Sequence, residues 1–492
     1  MAKITSIIDI GSNSIRMAVF EKSSRFGFFL INETKHKIQI GKGGYEKGGQ
    51  LQSTPMDKAF EAIKSFKQIS QNLKSRKILI VATSALRDAP NKQQFVNRIK
   101  KELKLNIKII DGSKEAYYGQ VAVSNLLFVK NFFTIDTGGG STEIAFVKNN
   151  KNIGTFSLDI GTVRLKELYF DKQDITGAKN YILNKITKIK NISKQFKNAI
   201  VLGGSNRAIS TAIIKQNNYP LDIVHGFSYI VKENQNTLNA ILQAKDNTAL
   251  KKLGIKEDRY DTIKVGCFIL QTILEYLSVK KVTTSQVGVR EGVYLCDILR
   301  TQNHRFPSNF NISQRSLMDR FGNKNNNTHY TARLSNDIFD ILKDSFKLKQ
   351  KHKNILKIAS ILHKIGLMLN FHNNQKLSSN FILYGLDYGF CHKDRVLIAT
   401  IINLTRKNRP KKKDIKKYKQ LLPKIKTIKY LLFILKLSIM LSSRLDKQKH
   451  EFKFDKKNNM LLILSDNFSS AIKDEITKLP PYIDIVYKSF YD

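Results

Sequence analysis

Two stretches of this chain combine residue types that could grip an anion: IDIGSNSIR, from Ile8 to Arg16, and IDTGGGSTE, from Ile135 to Glu143. In each, an apolar run ends in an aspartate, Asp9 or Asp136, a turn of small residues follows, and a second apolar run leaves it. The turns are Gly11, Ser12, Asn13 and Ser14 in the first copy, and Gly138, Gly139, Gly140, Ser141 and Thr142 in the second. Glycine-rich turns expose successive backbone N–H groups and the hydroxyls add donors, which makes a concavity for phosphate oxygens. An aspartate at its edge can hold Mg2+ against those oxygens, directly or through water. One such hairpin means little, because tight turns use Gly, Asn and Asp for backbone reasons alone. Two of them, face to face, would clamp a phosphate chain from both sides. Neither matches GxxxxGK[ST], and a strand rather than a helix follows each turn, which sets aside the P-loop and the dinucleotide fingerprint. A third element, VLGGSNR from Val201 to Arg207, reads as strand, glycine turn and helix start. There the N–H groups of Gly203, Gly204 and Ser205 could face an anion, or Ser205 or Asn206 could cap the helix.

These loops need elements to hold them. SIIDI and IRMAVFE form a predicted hairpin, and Ala59, Phe60, Ile63, Phe66 and Ile69 mark an amphipathic helix near 56–73. KILIVAT and NIKIID read as strands around the helix NKQQFVNRIKKEL, an alternation that implies a layered α/β domain. The pattern restarts at NFFTIDTGGGSTEIAFVKN and continues through NIGTFSLDIG, a helix, the strand NAIVLGGS and the helix NRAISTAII. We therefore expect a duplicated α/β domain, 1–128 and 129–303. Beyond REGVYLCDILRTQNHRFPSNF the texture turns helical, as in ARLSNDIFDILKDSF, ILKIASILHKIGLML and IKYLLFILKLSIML, which gives a third region, 304–492. Twin phosphate loops, a duplicated α/β unit and a glycine strand-to-helix turn describe the actin-like (ribonuclease H-like) phosphotransferase fold of sugar kinases and Hsp70-type ATPases. Chemistry on that fold depends on what occupies the cleft.

A chain of 492 residues is too long for one ordinary core. Its 84 Lys and Arg against 40 Asp and Glu give a net charge of +44, enough to draw polyanions. Lysine and asparagine are abundant throughout, including FGNKNNNTHY, so a general compositional bias explains part of this charge. The start, MAKITSIIDI, does not read as a secretory signal. The most lipid-like run, Tyr430 to Leu441, is shorter than the roughly 20 residues a spanning helix needs and contains Lys436. Cys267, Cys296 and Cys391 are widely separated in apolar surroundings and suggest neither disulfides nor a CxxC metal site, so a reducing cytoplasm is expected.

IDIGSNSIRMAVF, VATSALRDAPN, DGSKEAYYG, IDTGGGSTEIAF, SLDIGTVRLKE, VLGGSNRAIS and TSQVGVREGVYL occur in that order. In them the chain resembles, over essentially its whole length, the exopolyphosphatase/guanosine pentaphosphate phosphatase family (Ppx/GppA), and it is especially similar to the lysine-rich epsilonproteobacterial members. The resemblance implies Mg2+-dependent hydrolysis of a terminal phosphoanhydride, from inorganic polyphosphate, guanosine pentaphosphate or both. It also implies an active site in the cleft between two actin-like domains, followed by a helical region similar to HD phosphohydrolases. By the same resemblance Glu115 in KEAYYG is the glutamate that orients and deprotonates the attacking water, and Glu143 is the second functional carboxylate. Asp136 stands beside the metal and, with Asp9 and Glu143, makes the candidate Mg2+ set. Arg16 and Arg259 face the phosphates. Arg87 and Arg290 lie in family motifs and either contact phosphate or pair structurally with Asp88 and Glu291. The residue types suit the task, because phosphoryl transfer is mostly positioning and charge neutralisation around one carboxylate that directs water.

The third region departs from the HD pattern. LHKIG supplies His363 followed by Lys364 where an aspartate is needed, and the later histidine expected in NNQKLSSNFIL is absent. An ammonium there would repel a divalent cation, so no HD-type metal centre is expected, and His329 and His363 are read as packing or surface residues. The densest basic run, Leu404 to Gln420, is either a solvated face or a track for the tail of a long polyphosphate. With Tyr418 as its lone aromatic it offers poor base stacking, and no specific nucleic acid is expected. No membrane partner is expected. The resemblance also implies a possible homodimer, since many relatives dimerise through the helical half, and the apolar helices at Ile355 to Leu369 and Tyr430 to Leu441 are either core or interface. Two other functions remain open: a polyanion or nucleotide sensor without turnover, and an actin-fold small-molecule kinase.

Overall fold

The structure is a computed structural model that describes every residue except 1–2, 45–47, 194–195, 323–326, 408, 444–448, 467–468 and 491–492. It divides into two compact units, Met1–Phe310 and Asn311–Asp492. The first holds two sheets. Strands β1 (Lys3–Ile10), β2 (Ile15–Lys22), β3 (Phe28–His36), β4 (Lys77–Ala82) and β5 (Ile107–Ile109) lie in the order β3-β2-β1-β4-β5. Strands β6 (Phe132–Thr137), β7 (Thr142–Lys148), β8 (Lys151–Leu158), β9 (Asn198–Leu202), β10 (Ser228–Ile230) and β11 (Lys281–Thr284) lie in the order β10-β11-β9-β6-β7-β8. Each sheet has the same heart: an antiparallel meander whose first strand also pairs in parallel with the next one across, β1 with β4 and β6 with β9. The second sheet adds β10 at its edge.

Local sequence explains these elements. β1 and β7 are buried along most of their length and β-branched or aromatic, as central strands covered on both faces must be. The helix Ser53–Asn72 buries Met56, Ala59, Phe60, Ile63 and Phe66 on one stripe against Ile8, Ile15, Met17 and Val19 of the first sheet. Phe133, Phe146 and Phe196 fill the second core, with ring centroids 5.3–6.3 Å apart. Each such buried side chain contributes roughly 1.5–3 kcal/mol of hydrophobic stabilisation.

A cut at residue 128 separates the two sheets but not the helices that cover them. Gly112–Leu126, which precedes the cut, packs on β6, β7 and β8, while Val289–Ile298, which follows the second sheet, packs back on β1. Tyr294 stacks on Phe20 at 4.4 Å and meets Phe28 edge-on at 4.9 Å. The two crossing helices touch so closely that a Cβ at Gly292 would lie 2.0 Å from the Tyr118 carbonyl oxygen.

The second unit is largely helical, with helices that include Thr328–Leu342, Lys351–Leu362 and Ile425–Leu441. It closes with a three-stranded sheet, β12 (His450–Asp455), β13 (Met460–Ser465) and β14 (Asp484–Ser489), that the sequence reading did not foresee. Helix Ile425–Leu441 is core: Leu431, Leu432, Phe433, Ile434, Leu435 and Leu437 are buried. No helix among the described residues is long and apolar enough to cross a membrane. His363 is buried, its Nδ1 2.7 Å from the Ser360 carbonyl oxygen, and burial lowers its pKa to about 4. His329 is exposed. In the basic run, Lys411, Lys412, Lys413, Lys416, Lys417 and Lys419 are exposed, while Lys407 pairs with Asp414. Asn408 in that run, and residues 323–326 in the asparagine-rich stretch, lie outside the described residues.

Candidate active site

The two glycine turns meet in one cavity of about 130 Å³ between the sheets of the first unit. Each is a four-residue loop closed by the same bond, Gly11 N–H to the Ser14 carbonyl at 3.2 Å and Gly138 N–H to the Ser141 carbonyl at 2.9 Å. The second loop is fixed from behind by the start of helix Thr162–Leu168. Thr162 N–H donates to the Gly138 carbonyl, Val163 and Arg164 N–H to that of Gly139, and the Arg164 guanidinium to that of Gly140. The loops also touch each other, since a Cβ on Gly139 would stand 2.9 Å from Ser12 Cβ. The third turn closes the floor. Gly203 has φ +89°, and a Cβ there would lie 2.6 Å from the Thr137 carbonyl oxygen, so only glycine fits without strain.

Gly11, Ser12, Asn13, Ser14, Arg16, Gly138, Gly139, Ser141, Gly203, Gly204, Ser205, Arg259 and Arg290 line this cavity together with Asp9, Glu115, Asp136 and Glu143. Three expected residues do not. Thr142 is fully buried and its hydroxyl donates to the Ile160 carbonyl at 2.5 Å, because it sits inside the strand pair rather than in the turn. Gly140 is buried, with its carbonyl spent on Arg164. Arg87 stands behind Glu115, its Nη1 3.0 Å from Glu115 Oε2 and its Nε 3.4 Å from Asp88. Arg290 makes its ion pair with Glu33 at 2.7 Å, not with Glu291, whose Oε2 instead accepts from Gly288 N–H at the helix start.

Sequence reasoning overlooked Arg207, Thr83, Ser84 and the Gln286–Gly288 turn. Arg207 lines the cavity, with Nε on the Gly203 carbonyl at 3.1 Å and Nη1 on that of Gln286 at 2.9 Å. Its signal was present, an arginine one helical turn after the glycine pair. Ser84 was hidden because only folding brings its hydroxyl 2.8 Å from that of Ser12.

Four guanidiniums, Arg16, Arg207, Arg259 and Arg290, therefore share one small cavity. Burial and then Arg207, Arg290 and Arg259 lower the pKa of Arg16 to about 9. Such crowding costs energy until a polyanion arrives. The carboxylates are displaced the other way. Burial raises Glu115 well above the usual range, helped by Glu143 and opposed by Arg87. Burial raises Glu143 too, against hydrogen bonds from Ser141 and Ser157, the latter at 2.9 Å. Burial pushes Asp136 up to about 6, and it raises Asp9 against the pull of Arg290 and Arg16.

Among the described residues no group of three His, Cys, Asp or Glu could enclose a metal. A Mg2+ shared with substrate phosphates needs less, because it keeps waters and takes one or two carboxylates. Asp9 and Asp136 fit that role. Asp9 Oδ1 is buried without a hydrogen-bond partner, whereas Glu143 is already held by Ser157.

The chain resembles known proteins over most of its length. The guanosine-5'-triphosphate,3'-diphosphate pyrophosphatase of Pseudoalteromonas translucida is 27% identical over 413 residues, covering 81% of this chain and 80% of that protein. A solved Aquifex aeolicus Ppx/GppA structure is 26% identical with a TM-score of 0.51, covering 61% of this chain and 99% of that one. An exopolyphosphatase from Cytophaga hutchinsonii shares the fold at 22% identity and a TM-score of 0.56, covering 60% of this chain and 98% of that one. The profile of Ppx/GppA domain III matches residues 311–473. The profile of the Ppx/GppA phosphatase family itself matches residues 18–301, which takes in the second and third glycine turns, Glu115 and every cavity arginine but Arg16. More than half of the sequence thus carries that pattern around the cavity, and the chain belongs to the Ppx/GppA phosphatase family.

Proposed function

We propose that this protein hydrolyses the terminal phosphoanhydride of a linear phosphate chain, inorganic polyphosphate or guanosine pentaphosphate, releasing orthophosphate. The observation that carries this reading is the meeting of two glycine turns and four arginines with a buried glutamate, Glu115, in one cavity. Backbone N–H groups and guanidiniums grip the terminal and next phosphate and offset charge that builds on their oxygens. Glu115 accepts a proton from water as the water oxygen attacks the terminal phosphorus. The bridging P–O bond breaks, and its electron pair leaves on the shortened chain. A raised pKa suits such a base near neutral pH, and Arg87 keeps the carboxylate ionisable and oriented. Mg2+ held by Asp9 and Asp136 would supply further charge neutralisation at the phosphate oxygens.

Water is the acceptor in this reading because Glu115, a buried carboxylate held by Arg87, lines the cavity beside the loops. The activity belongs in a reducing cytoplasm, where the three cysteines stay thiols; Cys267 is buried, with its pKa raised to about 12. A homodimer through the helical unit is part of the reading, and Phe371 and Tyr384 there are 78% and 66% exposed. Sedimentation would read its mass. The deciding assay is phosphate release with Mg2+ from long-chain polyphosphate and from guanosine pentaphosphate, for wild type and Glu115→Gln. Release lost in the variant supports the hydrolase. Tight binding with no release from either substrate supports a sensor.

A further inference from the structure

A second cavity, of about 240 Å³, opens on the outer side of the helix whose first turn carries Glu115. Tyr117, Gln120, Lys151, Asn152, His304 and Arg305 contribute to it, from that helix, from the start of β8 and from the segment after Val289–Ile298. The cavity is several times the ~30 Å³ share of one water. No carboxylate lines it. Among the described residues no ion pair engages Lys151 or Arg305, and nearby Lys114 lies over the rings of Tyr117 and Tyr118 rather than on an acid. Asp297, close in sequence, is held by Lys77 at 2.5 Å.

The neutral groups present donors. Tyr117 Oη lies 2.7 Å from His304 Nδ1. Burial and then Lys114 lower the pKa of His304, whose Nε2 is left free of the tyrosine. Asn152 Oδ1 accepts from Gly154 N–H at 2.9 Å, which leaves its amide N–H groups. Burial lowers the pKa of the Arg305 guanidinium, opposed by Tyr117.

We propose that this cavity is a second anion site, distinct from the catalytic cleft, that takes a small phosphate anion such as pyrophosphate between Lys151 and Arg305, with donors from the Asn152 amide. It does not depend on the hydrolase reading, because the cavity shares no lining residue with the cleft.

Calorimetric titration with inorganic pyrophosphate, without Mg2+ to suppress turnover, tests it. The expected result is a binding event kept in Arg16→Gln, which damages the cleft, and weakened at least tenfold in Arg305→Gln combined with Lys151→Gln. Lys151→Glu, on an exposed hairpin, reads the same event should the double variant fail to fold. Titration of the Lys151 and Arg305 variants indistinguishable from wild type, or loss of all binding in Arg16→Gln, overturns the site. Phosphate release, measured separately, reports on the hydrolase reading alone.

Discussion

The two hairpins at the cleft are copies in backbone and opposites in charge. Both close with the same Gly-to-Ser hydrogen bond, and both place an aspartate at the end of the leading strand. Across the ladder, however, Asp9 faces Arg16 and Asp136 faces Glu143. Duplication gave the cleft two equal grips on phosphate. Of the positions that differ between them, the one that exchanges charge would give it direction in the proposed hydrolysis, with cations on one side and a carboxylate on the other beside Glu115. The surroundings enforce the difference: Arg207, Arg259 and Arg290 crowd Arg16, while Ser141 and Ser157 hold Glu143.

The largest way to break this asymmetry is to remove its acid end. Glu115→Gln is expected to lower kcat by ~10²–10⁴-fold while binding stays within a few-fold, read by phosphate release and by titration. Next is the cationic end. Arg16→Gln should lower kcat/KM on the order of 10²-fold, and Arg16→Glu, which copies the other hairpin and sets two carboxylates face to face, should lose more.

The pH profile sharpens the contrast. As the proposed base, Glu115 must be ionised to act, so kcat/KM is expected to fall as pH drops through its raised pKa. Glu143 raises that pKa and Arg87 lowers it, so the residual activity of Glu143→Gln should have its acid limb at lower pH, and that of Arg87→Gln at higher pH. Stability carries the same sign. A carboxylate whose folded pKa is raised binds more protons folded than unfolded, so its ionisation destabilises the fold as pH rises above the unfolded value. Glu143→Gln should therefore gain more melting temperature over wild type at pH 8 than at pH 5, read by calorimetry.

Gly203→Ala tests the floor common to both hairpins. At φ +89° and ψ 164°, backbone that only glycine adopts readily, it costs about 1–3 kcal/mol before the contact with Thr137, and melting should drop. The smallest effect is expected in the second unit. Charge reversal at Lys411, Lys412 and Lys413 should weaken long-chain polyphosphate a few-fold more than guanosine pentaphosphate, and equal loss would indicate general steering.

Much of this was legible in the chain. Hairpin turns, the strand–glycine–helix turn and the alternation of strand and helix follow from local rules: backbone freedom at glycine, and apolar periods of two and 3.6. The candidate loop residues could be named because each turn is contiguous. The placement of Arg87, the partner of Arg290 and the role of Ser84 were not legible, since each depends on a contact between elements distant in sequence. The closing strands β12–β14 escaped because their sequences are short and interrupted by charge, and they gain their pairing only from one another.

By itself, then, the sequence determined the elements, their duplication and the chemical kit: two aspartates, glycine turns, and arginines within strand and helix. Those are set by local backbone and side-chain preferences that act within a few residues. Tertiary structure alone decided which of them share a cavity, that Thr142 and Gly140 turn inward, and that Glu115 crosses from the helix after the first sheet to the face of the second. It also decided protonation, because a carboxylate's pKa depends on the water excluded and the charges gathered around it, and those are assembled only when the two sheets close on each other.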